Sequence, residues 1–156
     1  IALISSSVGA LAAAAAALKS GLGIARPRLG LCALNPHAGE GGLLGDEERR
    51  ALEPAARRLR RSGVSVEGPL AADAAWALHA RGRFDALIAL YHDQALIPLK
   101  VADPFGVVNW TVGVPCARTA PGHGTAFDIA GRGKADARGM VEAALLAARL
   151  AGGMKG

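Results

Sequence analysis

Phe84-Asp85-Ala86-Leu87-Ile88-Ala89-Leu90-Tyr91-His92-Asp93-Gln94 is a short apolar run that stops at a histidine and a carboxylate. Residues 84–91 have strand length, and an almost unbroken apolar run fits a strand covered on both faces, as in a parallel sheet. Open α/β sheets hold their ligands at the carboxyl ends of such strands. His92 and Asp93 stand at that position.

The pattern recurs on both sides. Residues 29–34 read as a second buried strand, followed by Asn35-Pro36-His37-Ala38-Gly39-Glu40-Gly41-Gly42. Residues 64–66 read as a short strand before the turn Gly68-Pro69-Leu70-Ala71-Ala72-Asp73. Residues 107–114 alternate well enough for a strand closed by Gly113-Val114-Pro115, and Ile1-Ala2-Leu3-Ile4 reads as one more. Asp46 is placed to cap a helix running to about Arg61, with Glu47 and Glu48 in its first turn. Residues 72–80 look helical, residues 138–150 form a clear amphipathic helix, and residues 94–99 are ambiguous. The six alanines at 12–17 are compatible with a helix, Ala being the best helix former, although no amphipathic period marks them. Strands alternating with helices predict an α/β fold, with a mostly parallel sheet and helices on both faces.

The chain has 156 residues, within the usual length of one domain, and no internal repeat or linker divides it. Its net charge of +5 comes largely from arginines at 49, 50, 57, 58, 60 and 61, a solvated basic face that also suits anionic small molecules. Aromatic residues are only 4% of the chain, which leaves little to stack on bases and argues against nucleic acid. No apolar stretch reaches the roughly 18 residues of a membrane span, and Ile1 to Ile4 has no basic flank of a signal peptide. No membrane partner and a cytoplasmic location are expected. Cys32 and Cys116 sit in apolar runs without metal-ligand spacing, so both are expected to be buried free thiols.

His37 lies in a glycine-rich loop where backbone can approach a ligand, and His92 lies at a strand end beside Asp93. Together they suggest metal-assisted work on a small polar substrate. Asp73 suits either catalysis or capping of the helix after it. Lys100, Asn109 and Arg118 fall on successive segments and could form a cationic clamp for carboxylate and phosphate groups. The segment from His123 to Gly133, with Gly124, Thr125 and Asp128, reads as a turn into a helix or a loop laid against a nucleotide. No GxGxxG follows a strand, which disfavours an ordinary Rossmann domain. His79, late in a helix beside Arg81, reads as a helix C-terminal charge.

At Asn35-Pro36-His37-Ala38-Gly39-Glu40, Gly68-Pro69-Leu70 with Asp73, Tyr91-His92-Asp93-Gln94, Leu99-Lys100, Val108-Asn109, Arg118-Thr119 and residues 123–131, the chain resembles the 4-hydroxythreonine-4-phosphate dehydrogenase family of vitamin B6 biosynthesis. The His-Gly-Thr-Ala…Asp-Ile-Ala-Gly loop is also similar to that of isopropylmalate and isocitrate dehydrogenases, which implies their shared fold. The resemblance runs from about Gly23 nearly to the C-terminus and implies a single partial unit, residues 1–156, from the carboxyl-terminal part of a two-domain enzyme.

It further implies metal ligation by His37 and His92, with Asp73 and Asp93 as the catalytic carboxylates around a divalent ion (zinc, magnesium or cobalt). Lys100, Asn109 and Arg118 are the implied contacts to a phosphorylated substrate. His123, Gly124, Thr125 and Asp128 would lie along the adenosine half of NAD or NADP. The implied reaction is oxidation of 4-phosphooxy-L-threonine followed by decarboxylation, at a site shared across a homodimer. The alternatives are a phosphorylated threonate or erythronate as substrate, or a non-catalytic dimerisation or ligand-binding relative. Three places depart from the family's pattern: Ser5-Ser6-Ser7 stands where a third metal histidine is expected, Gly122 stands where an Asp is expected, and the segment Asp103 to Val107 differs. Without the amino-terminal half, this chain is expected to be inactive alone.

Overall fold

The computed structural model describes residues 2–4 and 8–153, so Ser5-Ser6-Ser7 lies outside the described residues. Strands β1 (Ala2–Ile4), β2 (Arg28–Cys32), β3 (Ser65–Leu70) and β4 (Ala86–Ala89) form one fully parallel sheet in the order β1-β4-β2-β3. Leu29, Gly30 and Leu31 pair with Ala86, Leu87 and Ile88, so β2 and β4 are the central strands. Helices α1 (Val8–Leu22), α2 (Glu53–Arg61), α3 (Ala72–Ala80) and α4 (His92–Ala102) alternate with the strands. The crossovers of a parallel sheet require them.

Strand alternation divides the core into two layers. Leu29, Leu31, Ala86 and Ile88 face α1 and α2, where Leu11, Ala15, Leu18, Ala56 and Leu59 bury against them. Cys32, Phe84 and Leu87 face the other way and pack with Ala75, Trp76 and Leu78 of α3. Helices therefore cover both faces, as the apolar runs predict. The alanine run does carry a helical stripe, because Leu11, Ala14, Ala15 and Leu18 are the buried positions among the described side chains of α1. At Gly30 a Cβ would come within 2.6 Å of Leu87 and 2.8 Å of Phe84, so the α3 layer closes directly onto the β2 backbone.

A second, smaller sheet is an antiparallel pair, β5 (Val108–Thr111) with β6 (Arg118–Pro121). Helix α5 (Arg138–Gly153) packs on it and reaches back to α1. The Thr119 hydroxyl donates to the Ala143 carbonyl at 2.8 Å, and the Trp110 ring lies over Gly21 and against Leu150.

Several boundaries differ from the sequence reading. Residues 64–66 extend into the six-residue β3, which absorbs Gly68-Pro69-Leu70 as strand, with a cis bond at Pro69, rather than turn. The strand expected at 107–114 shrinks to four residues, and the ambiguous 94–99 segment is helical. The helix before Arg61 begins with a wide turn over Glu48–Leu52, and its Asp46 pairs with Arg49 and Arg50 at 3.7 and 3.6 Å instead of capping by its side chain.

Cys116 is exposed, contrary to expectation, because the β5–β6 connection containing it packs against no core layer. Cys32 is buried, and that burial pushes its thiol up to about 11. His79 is half-buried instead of a solvated helix-end charge. Its Nδ1 lies 2.8 Å from the Phe84 carbonyl and its ring meets Trp76 edge-on at 5.6 Å.

In the native protein a disulfide reagent at pH 8 is expected to titrate Cys116 and to spare Cys32 until denaturant is added. Equal rates for both thiols would contradict the core assignment. Burial also holds His79 below its ordinary value, with the Phe84 carbonyl and then Asp85 opposing. Its contribution to stability is therefore complete above about pH 6.5 and declines as pH falls through that value, because the unfolded chain takes up the proton first. His79→Gln should accordingly flatten the acid limb of a melting-temperature profile, and an unchanged limb would discount His79.

Candidate active site at the carboxyl ends of the parallel strands

The four parallel strands end at one edge, so the exit loops of β2, β3 and β4 gather there. The β2 exit carries His37, the β3 exit leads to Asp73 in the first turn of α3, and the β4 exit carries His92 and Asp93 at the start of α4. Backbone and side-chain bonds tie these exits together. The Ala33 N–H donates to the Leu70 carbonyl at 2.7 Å, joining the ends of β2 and β3. Buried Gln94 joins β2 to β4: its Nε2 donates to the Ala33 carbonyl at 2.7 Å, and its Oε1 accepts from the Leu90 N–H at 2.9 Å. The Trp76 indole then donates to the Gln94 carbonyl at 2.7 Å, binding α3 to α4.

The His37 loop is built by Asn35. Its Oδ1 accepts from the N–H groups of His37 and Gly39 at 2.9 and 3.0 Å, and its Nδ2 donates to the Leu44 carbonyl at 2.8 Å. This is an Asx turn followed by a tight reversal, and Gly39 at φ 78° supplies the left-handed residue it needs. His37 itself is exposed. His92 is also exposed, and its Nδ1 donates to Asp93 Oδ1 at 2.8 Å. That contact fixes Nδ1 as the protonated nitrogen and leaves Nε2 as the one able to coordinate, the usual role of a carboxylate behind a liganding histidine. Asp73 is exposed and accepts from the Ala74 N–H at 2.8 Å, while the helix cap position belongs to Ala71. Among the described residues no three His, Cys, Asp or Glu side chains stand close enough to form a metal cluster.

Asn109 and Arg118 share one face of the small sheet. The register sets Thr111 opposite Arg118 and Asn109 opposite Ala120, while Trp110 and Thr119 turn toward α5. Arg118 donates to Thr111 Oγ1 at 2.6 Å and remains exposed. Lys100 is exposed on α4, a separate element, and among the described residues no hydrogen bond joins it to the other two. His123, Gly124, Thr125 and Asp128 are all exposed in the segment between β6 and α5. The His123 Nδ1 lies 3.0 Å from the Gly124 carbonyl, and its ring lies against Gly139, where a Cβ would meet it at 2.9 Å. Gly122 has a packing reason to lack a side chain: a Cβ there would sit 2.6 Å from Val107 Cγ1 and 2.8 Å from its carbonyl oxygen.

A family described as "Pyridoxal phosphate biosynthetic protein PdxA" matches residues 5–147. The chain belongs to this family. It is 52% identical over 136 residues to a 4-hydroxythreonine-4-phosphate dehydrogenase of Paracoccus denitrificans, a match that covers 87% of this chain and 42% of that protein. With the enzyme of the same name from Caulobacter vibrioides it is 53% identical over 137 residues, covering 88% of this chain and 41% of the relative. The chain thus spans about two fifths of the length of these curated relatives.

Among solved structures, a 4-hydroxythreonine-4-phosphate dehydrogenase of Klebsiella pneumoniae superposes with a TM-score of 0.81 at 43% identity, covering 92% of this chain and 44% of that one. A terephthalate 1,2-cis-dihydrodiol dehydrogenase of Burkholderia xenovorans superposes at 0.70 and 39% identity, covering 91% and 45%. PdxA-family architecture is thus shared with a dehydrogenase named for a different substrate, so the fold alone does not select one.

Two residues that hold this site in place were not singled out from the sequence. Gln94 stands in the motif with His92 and Asp93, yet glutamine carries no chemistry that flags it. Glu48 reads as an ordinary first-turn acid, but it is buried beneath the His37 loop. A full-length signal for either would be a polar residue at a position where helical periodicity requires an apolar one. Gln94→Leu is expected to leave the Ala33 carbonyl and Leu90 N–H unpaired at about 2–4 kcal/mol. Urea unfolding measures this, and a loss below about 1 kcal/mol would show the bridge to be dispensable.

Proposed function

We propose that this chain is the carboxyl-terminal part of a metal-dependent, NAD(P)-linked dehydrogenase that oxidises 4-phosphooxy-L-threonine, with decarboxylation of the resulting β-keto acid. The observation that carries the reading is the gathering of the His37, Asp73 and His92–Asp93 loops at one edge of a single parallel sheet. The PdxA family match and the names of the relatives supply the substrate.

The donor set suits a divalent ion such as zinc, magnesium or cobalt, with two exposed imidazoles on the exits of adjacent strands and a carboxylate behind one of them. His37 and His92 are the two residues of this chain that would hold the ion. Further ligands come from outside the described residues or from a second copy of the chain, which fits a homodimer with a shared site. A bound ion supplies Lewis acidity to a substrate hydroxyl, and a nicotinamide supplies the hydride acceptor.

The protein groups do the rest. Asp93 keeps the His92 ring in one tautomer and orientation. Asp73 and Asp93, exposed at the same edge, are placed to take the proton of the substrate hydroxyl. Lys100, Asn109 and Arg118 bind the phosphate, with Asn109 and Arg118 presented from one face of the small sheet. His123, Gly124, Thr125 and Asp128 lie along the adenosine portion of NAD or NADP. The chain as a whole acts in the cytoplasm.

The full-length gene product, given zinc, NAD and 4-phosphooxy-L-threonine, is expected to produce NADH at about 1 per second or faster. The 156-residue chain alone is expected to produce none. In the full-length protein Arg118→Ala should raise KM for the phosphorylated substrate by at least about tenfold with a smaller effect on kcat. Absence of turnover in the full-length protein, with metal and substrate both bound, would refute the proposed reaction.

A further inference from the structure

Glu48 is 4% exposed although it is ionisable, and no ion pair joins it to an arginine among the described residues. Burying a carboxylate is costly unless donors meet it. Its Oε1 accepts from two consecutive backbone N–H groups, Leu34 at 3.0 Å and Asn35 at 3.3 Å, where β2 has just ended. Its Oε2 is buried without a hydrogen-bond partner and lies at the buried Gly39, where a Cβ would stand 3.0 Å from it. The wide turn over Glu48–Leu52 opens the following helix, so the carboxylate also sits at a positive helix end.

These contacts form a relay. Glu48 fixes the backbone of Asn35, and Asn35 in turn holds the N–H groups of His37 and Gly39. Among the described residues the His37 ring has no hydrogen bond or ion pair that would orient it, in contrast to His92, which has Asp93 behind it. The two exposed imidazoles are thus held by different means: His92 through its ring, His37 through its backbone.

We propose that Glu48 is a positioning residue for His37, setting the loop that presents this imidazole to the divalent ion. The inference rests on the metal-binding reading of His37 given above. It adds that the precision of that ligand is stored in a buried carboxylate eleven residues along the chain. Glu48 touches neither substrate nor metal and acts through Asn35. Supporting groups behind metal ligands typically change metal affinity about 10–100-fold when removed.

The test uses the full-length gene product and zinc alone, with affinity measured by competition against a chromophoric chelator. Glu48→Met keeps the shape and removes the acceptor; it is expected to weaken zinc binding about 10–100-fold. KM for the phosphorylated substrate should change less than about threefold, because Lys100, Asn109 and Arg118 lie on other elements. Glu48→Gln retains an Oε1 acceptor for both N–H groups and is expected to restore most of the zinc affinity. Should Glu48→Met fail to fold, Asn35→Ala interrupts the relay one link later and is expected to show the same loss.

His37→Ala separates the two hypotheses. If His37→Ala leaves zinc affinity intact, the metal role of His37 is wrong. If His37→Ala weakens zinc binding while Glu48→Met, or Asn35→Ala in its place, binds zinc like the parent protein, the positioning role of Glu48 is overturned and the metal role stands. A loss in Glu48→Gln equal to that in Glu48→Met would also overturn it, since the relay needs an acceptor rather than a charge.

Discussion

The buried carboxamide of Gln94 is the contact on which the site edge depends. One side chain donates to the end of β2 and accepts from the end of β4, while the backbone carbonyl of the same residue accepts from the Trp76 indole. Strand ends in a parallel sheet have no hairpin to join them, so their relative height is set only by the ladder and by such bridges. Ladder pairing stops at Leu31 and Ile88 between these strands, and Gln94 takes over immediately beyond. Within a low-dielectric interior each of its bonds is strong, and leaving any of them unmade is expensive.

The small antiparallel sheet has a different logic. Its two strands would be marginal alone, and they are held by one face only, where Thr119 bonds α5 and Trp110 fills the space beside Gly21 and Leu150. The opposite face is thereby freed for polar residues, and Asn109 and Arg118 occupy it. A basic residue on that face is held in place without being neutralised, because its partner is the neutral Thr111 hydroxyl and not a carboxylate. Three other arginines are instead paired with carboxylates: Arg28 with Asp85, Arg83 with Glu67, and Arg57 with Glu53.

Much of the fold was legible in the residues. The runs at 29–34 and 84–91 read as buried strands, since nearly every residue is apolar and the runs are of strand length. Histidine and carboxylate after each run pointed to the carboxyl edge. The failures have equally specific causes. Gly68-Pro69 carries a strong turn signal, yet Pro69 is tolerated because β3 is an edge strand. The 92–102 helix was hidden by Pro98 within it and by a sequence without a clear apolar stripe. Cys116 sits among apolar neighbours in sequence, but a loop's neighbours along the chain are not its neighbours in space.

By itself, the sequence determined the class of structure, the family, and the residue types at each strand end, because hydrophobic period and local motif are properties of consecutive residues. Only the tertiary structure decided which polar residues hold the site together. Glu48 and Gln94 are unexceptional among their sequence neighbours, and their roles arise largely from distant partners, Asn35 13 residues from Glu48 and Ala33 61 residues from Gln94. Burial converts an ordinary side chain into a committed one, since a polar group removed from water must find its partner wherever the fold has placed it.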